Sequence, residues 1–100
     1  MTVTTVDVTA DDIRHGVQAE CEECPFALAL LRILRPGTIP AVRNDYVTLY
    51  EGSYGGKAVT IRLPPVVCRF IVSFDCGELV TPFSVELDIP GQFLPELVTA

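Results

Sequence analysis

The chain predicts an α+β fold, a two-layer sandwich in β-α-β-β-α-β order. A ferredoxin-like arrangement is the leading expectation and a looser α+β packing the alternative. Segments 3–8, 45–63 and 82–90 show the two-residue alternation of half-buried strands. Two apolar helical segments start at prolines and stop at glycines, and each lies between strand segments.

VTTVDV (3–8) puts Val6 and Val8 on one face and Thr5 and Asp7 on the other. Thr9 then reads as an N-cap with Asp12 at the third helical position, and Gly16 limits that helix to a turn or two. The main helix runs from Pro25 to Arg35, where Pro36-Gly37 stops it. Its apolar residues cover more than half the circumference, with Arg32 and Arg35 opposite. Leu28 is stranded between the two arginines and is a candidate contact to another surface. TIPAVR (38–43) reads as a short extended piece before a hairpin made of DYVTLYEG (45–52), an SYGG turn and KAVTIRL (57–63). Val47, Leu49, Val59, Ile61 and Leu63 would face the core, with Tyr46, Thr48, Tyr50, Thr60 and Arg62 facing outward. Pro64-Pro65 opens the second helix, whose core stripe is Val67, Phe70, Ile71 and Phe74, with Gly77 near its C-cap. Cys68 and Val72 fall outside that stripe. PFSVELDIP (82–90) turns Phe83, Val85, Leu87 and Ile89 inward, and Ser84, Glu86 and Asp88 outward. One domain thus spans 1–90. Residues 91–100 form a tail whose Phe93, Leu94, Leu97 and Val98 want an apolar surface, its own or a partner's.

One hundred residues make one domain, and 49% hydrophobic content is ample to form a core. That content, high for a small monomer, raises the prospect of a subunit or partner interface, a homodimer included. The longest apolar run, Pro25–Leu31, ends at Arg32, well short of a bilayer span. The N-terminus has no signal pattern, so a cytoplasmic location is expected. Net charge is −6, with acids concentrated between Asp7 and Glu23 and no cluster of Lys and Arg. Direct nucleic-acid binding through phosphate contacts is therefore not expected. The acidity serves solubility, or faces a basic partner.

Cys21-Glu22-Glu23-Cys24 is the sharpest chemical motif. Two thiolates at this spacing suit one tetrahedral zinc, but a single pair is half a site. His15, the only histidine, is the nearest third ligand, and Cys68 and Cys76 do not repeat the motif. A helix start favours a thiolate at Cys24, whereas Glu20, Glu22 and Glu23 oppose it. The structural reading, two small thiols at the entry of a buried helix, is preferred. No cofactor is expected, with zinc as the alternative. GSYGGKA (52–58) is one residue short of a phosphate loop and joins two strands, so it reads as a turn. No serine pairs with His15 in a recognisable hydrolytic motif, and no catalytic residue is assigned. The outward sheet positions Tyr46, Tyr50, Arg62, Thr60, Glu86 and Asp88 would lie together on one face. RNA-binding sandwiches place stacking aromatics over a basic field there; here the field is acidic, which favours a protein or a small ligand.

Two blocks, E-C-x-x-C-P-x-A-L-A-L (Glu20 to Leu30) and F-x-x-x-F-D-x-G-x-x-V-x-P-F-x-x-E-L (Phe70 to Leu87), resemble a group of small uncharacterised proteins of actinobacteria and their phages. The resemblance implies that Cys21, Cys24 and Pro25 form a fixed helix entry and Phe74-Asp75-x-Gly77 a fixed helix exit. Cys68 and Cys76 need not be cysteine in that group, and the tail from Gly91 is extra to it. It implies a phage or prophage setting, hence the bacterial host cytoplasm, and no particular chemistry. The expected function is that of a small acidic accessory protein, non-enzymatic, that binds a host or phage protein. The interaction residues are Tyr46, Tyr50, Arg62 and Glu86 on the sheet, with Leu28, Cys68 and Val72 for self-association. A metal or thiol-redox module at Cys21 and Cys24, and an oligomer that sequesters a small ligand, are the rivals.

Overall fold

Thr9 shows how closely the chain follows its local signals. Its hydroxyl accepts from the Asp12 N–H while its own N–H donates to the Asp12 carboxylate, a complete capping box. The computed structural model describes residues 2–95, so Leu97 and Val98 of the tail lie outside the described residues. The elements are β1 (Thr2–Val8), α1 (Ala10–His15), α2 (Pro25–Ile33), β2 (Thr38–Val42), β3 (Tyr46–Glu51), β4 (Ala58–Arg62), α3 (Pro65–Asp75) and β5 (Phe83–Ile89), then a 3₁₀ turn at Gly91–Phe93.

The α+β class holds, and the strands adopt the looser arrangement. Among the described residues they form two antiparallel sheets, β1-β5 and β2-β3-β4, in place of one four-stranded sheet. Thr4, Val6 and Val8 pair with Leu87, Val85 and Phe83, so the inward positions of β1 and β5 meet on one face. TIPAVR, read as a short extended piece, is a full strand paired to β3. Helix α2 joins the two sheets, contacting α1, β1 and β2, with Phe26, Ala27 and Leu30 fully buried. Helix α3 closes the other side. Its Phe70 ring lies 4.8 Å from that of Phe83 on β5 and 6.3 Å from that of Phe74. Leu31, one of the residues that make up the broad apolar arc of this helix, is 47% exposed. Arg32, placed in solvent, instead reaches back to Asp12 and to the Asp7 carbonyl. Phe93 is fully buried within the core, so packing continues past Pro90 and the first part of the tail docks on the chain itself.

Candidate functional site

The segment between α1 and α2 is folded by its own backbone. Val17 N–H donates to Glu23 O at 2.8 Å, and the Glu23 and Cys24 N–H groups both donate to Glu20 O, at 3.0 and 2.9 Å. Gly16 must be glycine: a Cβ there would stand 2.6 Å from the Pro25 ring. Ala19 sits at φ +60°, a left-handed conformation that Ala adopts at a cost. Asp75, at the end of α3, accepts the Ala19 N–H at 3.0 Å and holds it there. The two blocks quoted above, far apart in sequence, therefore meet in space. Between them lies a cleft of about 330 Å³, lined in part by Glu20, Cys21, Cys24, Arg43, Asn44 and Asp75.

The thiols in this cleft are structural in their contacts. Cys24 is buried and is the N-cap of α2, its Sγ accepting the Ala27 N–H at 3.4 Å. Burial pushes the Cys24 thiol up, and the Ala27 and Phe26 N–H groups offset only part of this, so the thiol form is favoured. Cys21 is half-buried, and its carbonyl accepts the Val42 N–H at 2.8 Å, tying the loop to the edge of β2. His15 is exposed at the end of α1, its Nδ1 2.9 Å from Asp11 O. Among the described residues no three His, Cys, Asp or Glu side chains are grouped to hold a metal ion, so His15 does not complete a site with Cys21 and Cys24. Cys68 donates to Leu63 O at 3.5 Å and Cys76 is exposed.

The outward sheet face is only partly assembled as expected. Tyr46 pairs with Arg62 across β3 and β4, and Tyr50 lies on the same face as Thr48. The Tyr50 ring is 4.7 Å from that of Tyr54, a turn residue that the alternation pattern does not single out. Tyr54 hydrogen-bonds Glu22, which pushes its hydroxyl up to about 12 and links the hairpin tip to the cysteine loop. Glu86 does not join the tyrosines. It is on β5 opposite Thr5, in the other sheet, because β1 and not β3 or β4 takes β5 as its partner. Asp88 goes with it, opposite Val3.

The outer side of α3 exposes several apolar side chains. Val72 is 47% exposed and Cys68 half-buried, and around them Val66 and the fully exposed Leu79 add apolar surface. Two shallow grooves flank the Arg69–Ser73 ridge. One, about 340 Å³, lies against Cys68 and Val72; the other, about 260 Å³, lies between Val66, Leu79, Val80 and Phe83. Leu28 is half-buried on α2 and lines neither groove. Val66 and Arg69 escape a search for core stripes because they sit on the complementary face, and Leu79 lies beyond the helix where no periodicity applies.

No protein-family model, curated protein or solved structure matches the chain.

Proposed function

We propose that this protein is a non-enzymatic accessory factor that works by binding another protein through the outer side of α3. The supporting observation is the exposure of Val66, Val72 and Leu79 around Arg69, a guanidinium set between two apolar grooves. Apolar surface of this kind on a small domain favours a partner over water. A segment presenting apolar side chains to both grooves and a carboxylate to Arg69 is the complementary chemistry. The motif blocks support a phage or prophage setting, with the partner in the host cytoplasm. Among the described residues no helix is long and apolar enough to cross a membrane. The cysteine cleft offers a buried thiol and no grouped ligand set, which leaves the redox and zinc alternatives without a supporting geometry.

Photo-crosslinking in producing cells tests this reading. A crosslinking residue at Val72 or Leu79 is expected to trap one discrete protein adduct, lost when Arg69→Glu is added. A control at Lys57, on the hairpin turn, is expected to give none. Equal adduct patterns from all three positions, or none from Val72 and Leu79, would remove α3 as the binding surface.

A further inference from the structure

We infer that the free edge of β4 pairs with itself, joining two copies of this chain through one continuous six-stranded sheet. The surface is separate from the α3 grooves, and the inference does not depend on them.

The two edges of the three-stranded sheet are finished differently. On β2, Arg43 N–H donates to Tyr46 O at 2.8 Å, which sets the hydrogen-bonding phase. Ile39 and Ala41 then bond to β3, and the backbones of Thr38, Pro40 and Val42 turn outward. Each outward donor is dealt with. Thr38 N–H donates to Arg35 O at 3.1 Å, Pro40 has none, and Val42 N–H donates to Cys21 O at 2.8 Å. This edge is closed.

On β4 the phase is set at both ends, by Glu51 N–H to Lys57 O at 2.8 Å and Leu63 N–H to Asp45 O at 2.9 Å. Val59 and Ile61 therefore bond to β3, while Ala58, Thr60 and Arg62 present N–H and C=O to the outside. Among the described residues, none of those outward groups has a hydrogen-bond partner. The strand has no proline, no bulge in the register and no lysine; its protections are its five-residue length and the single charge of Arg62 at one end.

The strand AVTIR fits a second copy of itself. An antiparallel pair about a two-fold axis at Thr60 sets Thr60 against Thr60 of the second copy and Ala58 against its Arg62. Every outward N–H then meets a C=O, since these are the three residues in hydrogen-bonding phase. Val59 falls opposite Ile61 of the second copy, so two half-buried β-branched side chains meet on the inner face. The two Arg62 side chains lie at opposite ends, about 13 Å apart at ~3.3 Å per residue. That exceeds a Debye length of about 8 Å, so the two Arg62 charges do not oppose the pairing. A ladder this short buries less than the roughly 800 Å² per partner of a stable complex, so the dimer dissociates on dilution.

Sedimentation velocity and amide exchange over a concentration series decide it. The full chain, reduced, is expected to shift from monomer to dimer as concentration rises. Amide exchange of Ala58, Thr60 and Arg62 should slow in step, while Val59 and Ile61 are slow throughout. Thr60→Pro removes the outward N–H together with the Thr60 hydroxyl, which lies 3.1 Å from that of Thr48, and Thr60→Lys places like charges face to face across the axis. Both are expected to stay monomeric with unchanged circular dichroism, and Thr60→Lys carries the test if the proline variant does not fold. A wild-type chain that stays monomeric overturns the inference. So does a dimer that survives Thr60→Lys or leaves the exchange at Thr60 unchanged.

Discussion

Asp12 is 4% exposed and carries a charge that the fold must satisfy. Burial pushes its carboxyl up, but the Arg32 guanidinium and the Thr9 N–H and hydroxyl outweigh this and hold it below the usual carboxylate range. Arg32 donates through both Nη1 and Nη2, the latter at 2.8 Å to Oδ2, a bidentate pair that also ties α2 to the Asp7 carbonyl of β1. A folded pKa below the unfolded one contributes stability above the unfolded value, and that contribution is lost as pH falls through the folded pKa. Arg32→Ala leaves Asp12 its cap but not its counter-charge. Because the Arg32 side chain is about half exposed, we expect a loss of only about 1–2 kcal/mol at neutral pH. Urea unfolding of the two proteins at a series of pH values checks this. The gap should be constant near neutrality and shrink as pH drops below the ordinary carboxylate range. The capping half of this arrangement is legible in Thr9-Ala10-Asp11-Asp12, because caps are local. The Arg32 half is not, since a helical wheel shows where a side chain departs and not what an adjacent helix offers it.

At the scale of the element, α2 depends on how it begins. Cys24 is its N-cap and Pro25 its first residue, and there is no acid in the first turn to assist. The thiol is thus a capping acceptor in a buried place. Cys24→Ser keeps an acceptor of similar size and is expected to change stability by less than about 0.5 kcal/mol, whereas Cys24→Ala is expected to cost about 1 kcal/mol. Adding Cys21→Ser to the serine variant should add little, and a chelator should not shift the melting temperature of wild type. A large loss on chelation would restore zinc at this loop. The helix, its proline start and the stripe on α3 are all legible from spacing, as are the inward positions of β1, β3, β4 and β5; β2, buried almost throughout, shows no alternation to read. Neighbours are another matter. Alternation in PFSVELDIP assigns Glu86 outward correctly but is silent on which strand lies beside it, so a shared face with Tyr46 and Tyr50 could not be tested by pattern. Asp75 was legible as a helix end; its bond to Ala19 required the two blocks to be brought together by the fold.

At the scale of the molecule, two small sheets need something in common to form one core. A two-stranded ladder such as β1-β5 is marginal alone. It is held by α2 on β1, by Phe70 of α3 against Phe83, and by a residue of the 3₁₀ turn after β5. That residue is Phe93. It is fully buried, its carbonyl accepts the Arg35 N–H at 2.8 Å, and Arg35 Nε bonds Leu94 O at 3.2 Å. The segment after Pro90 thus latches the end of α2 to the end of β5. Its apolar pattern announced that it needed cover, but the choice between its own core and a partner's surface depends on the space the two sheets leave, which only the assembled fold sets. Phe93→Ala is expected to cost about 3–5 kcal/mol, the penalty of an emptied aromatic site in a packed core. Phe93→Leu, which refills most of the volume, should recover more than half of that loss. Leu94→Ala, at a half-buried position, should cost markedly less. Chemical denaturation of the three variants separates these outcomes. A Phe93→Ala protein as stable as wild type would mean that the two sheets hold together without the latch, and that residues beyond Pro90 are free for another task.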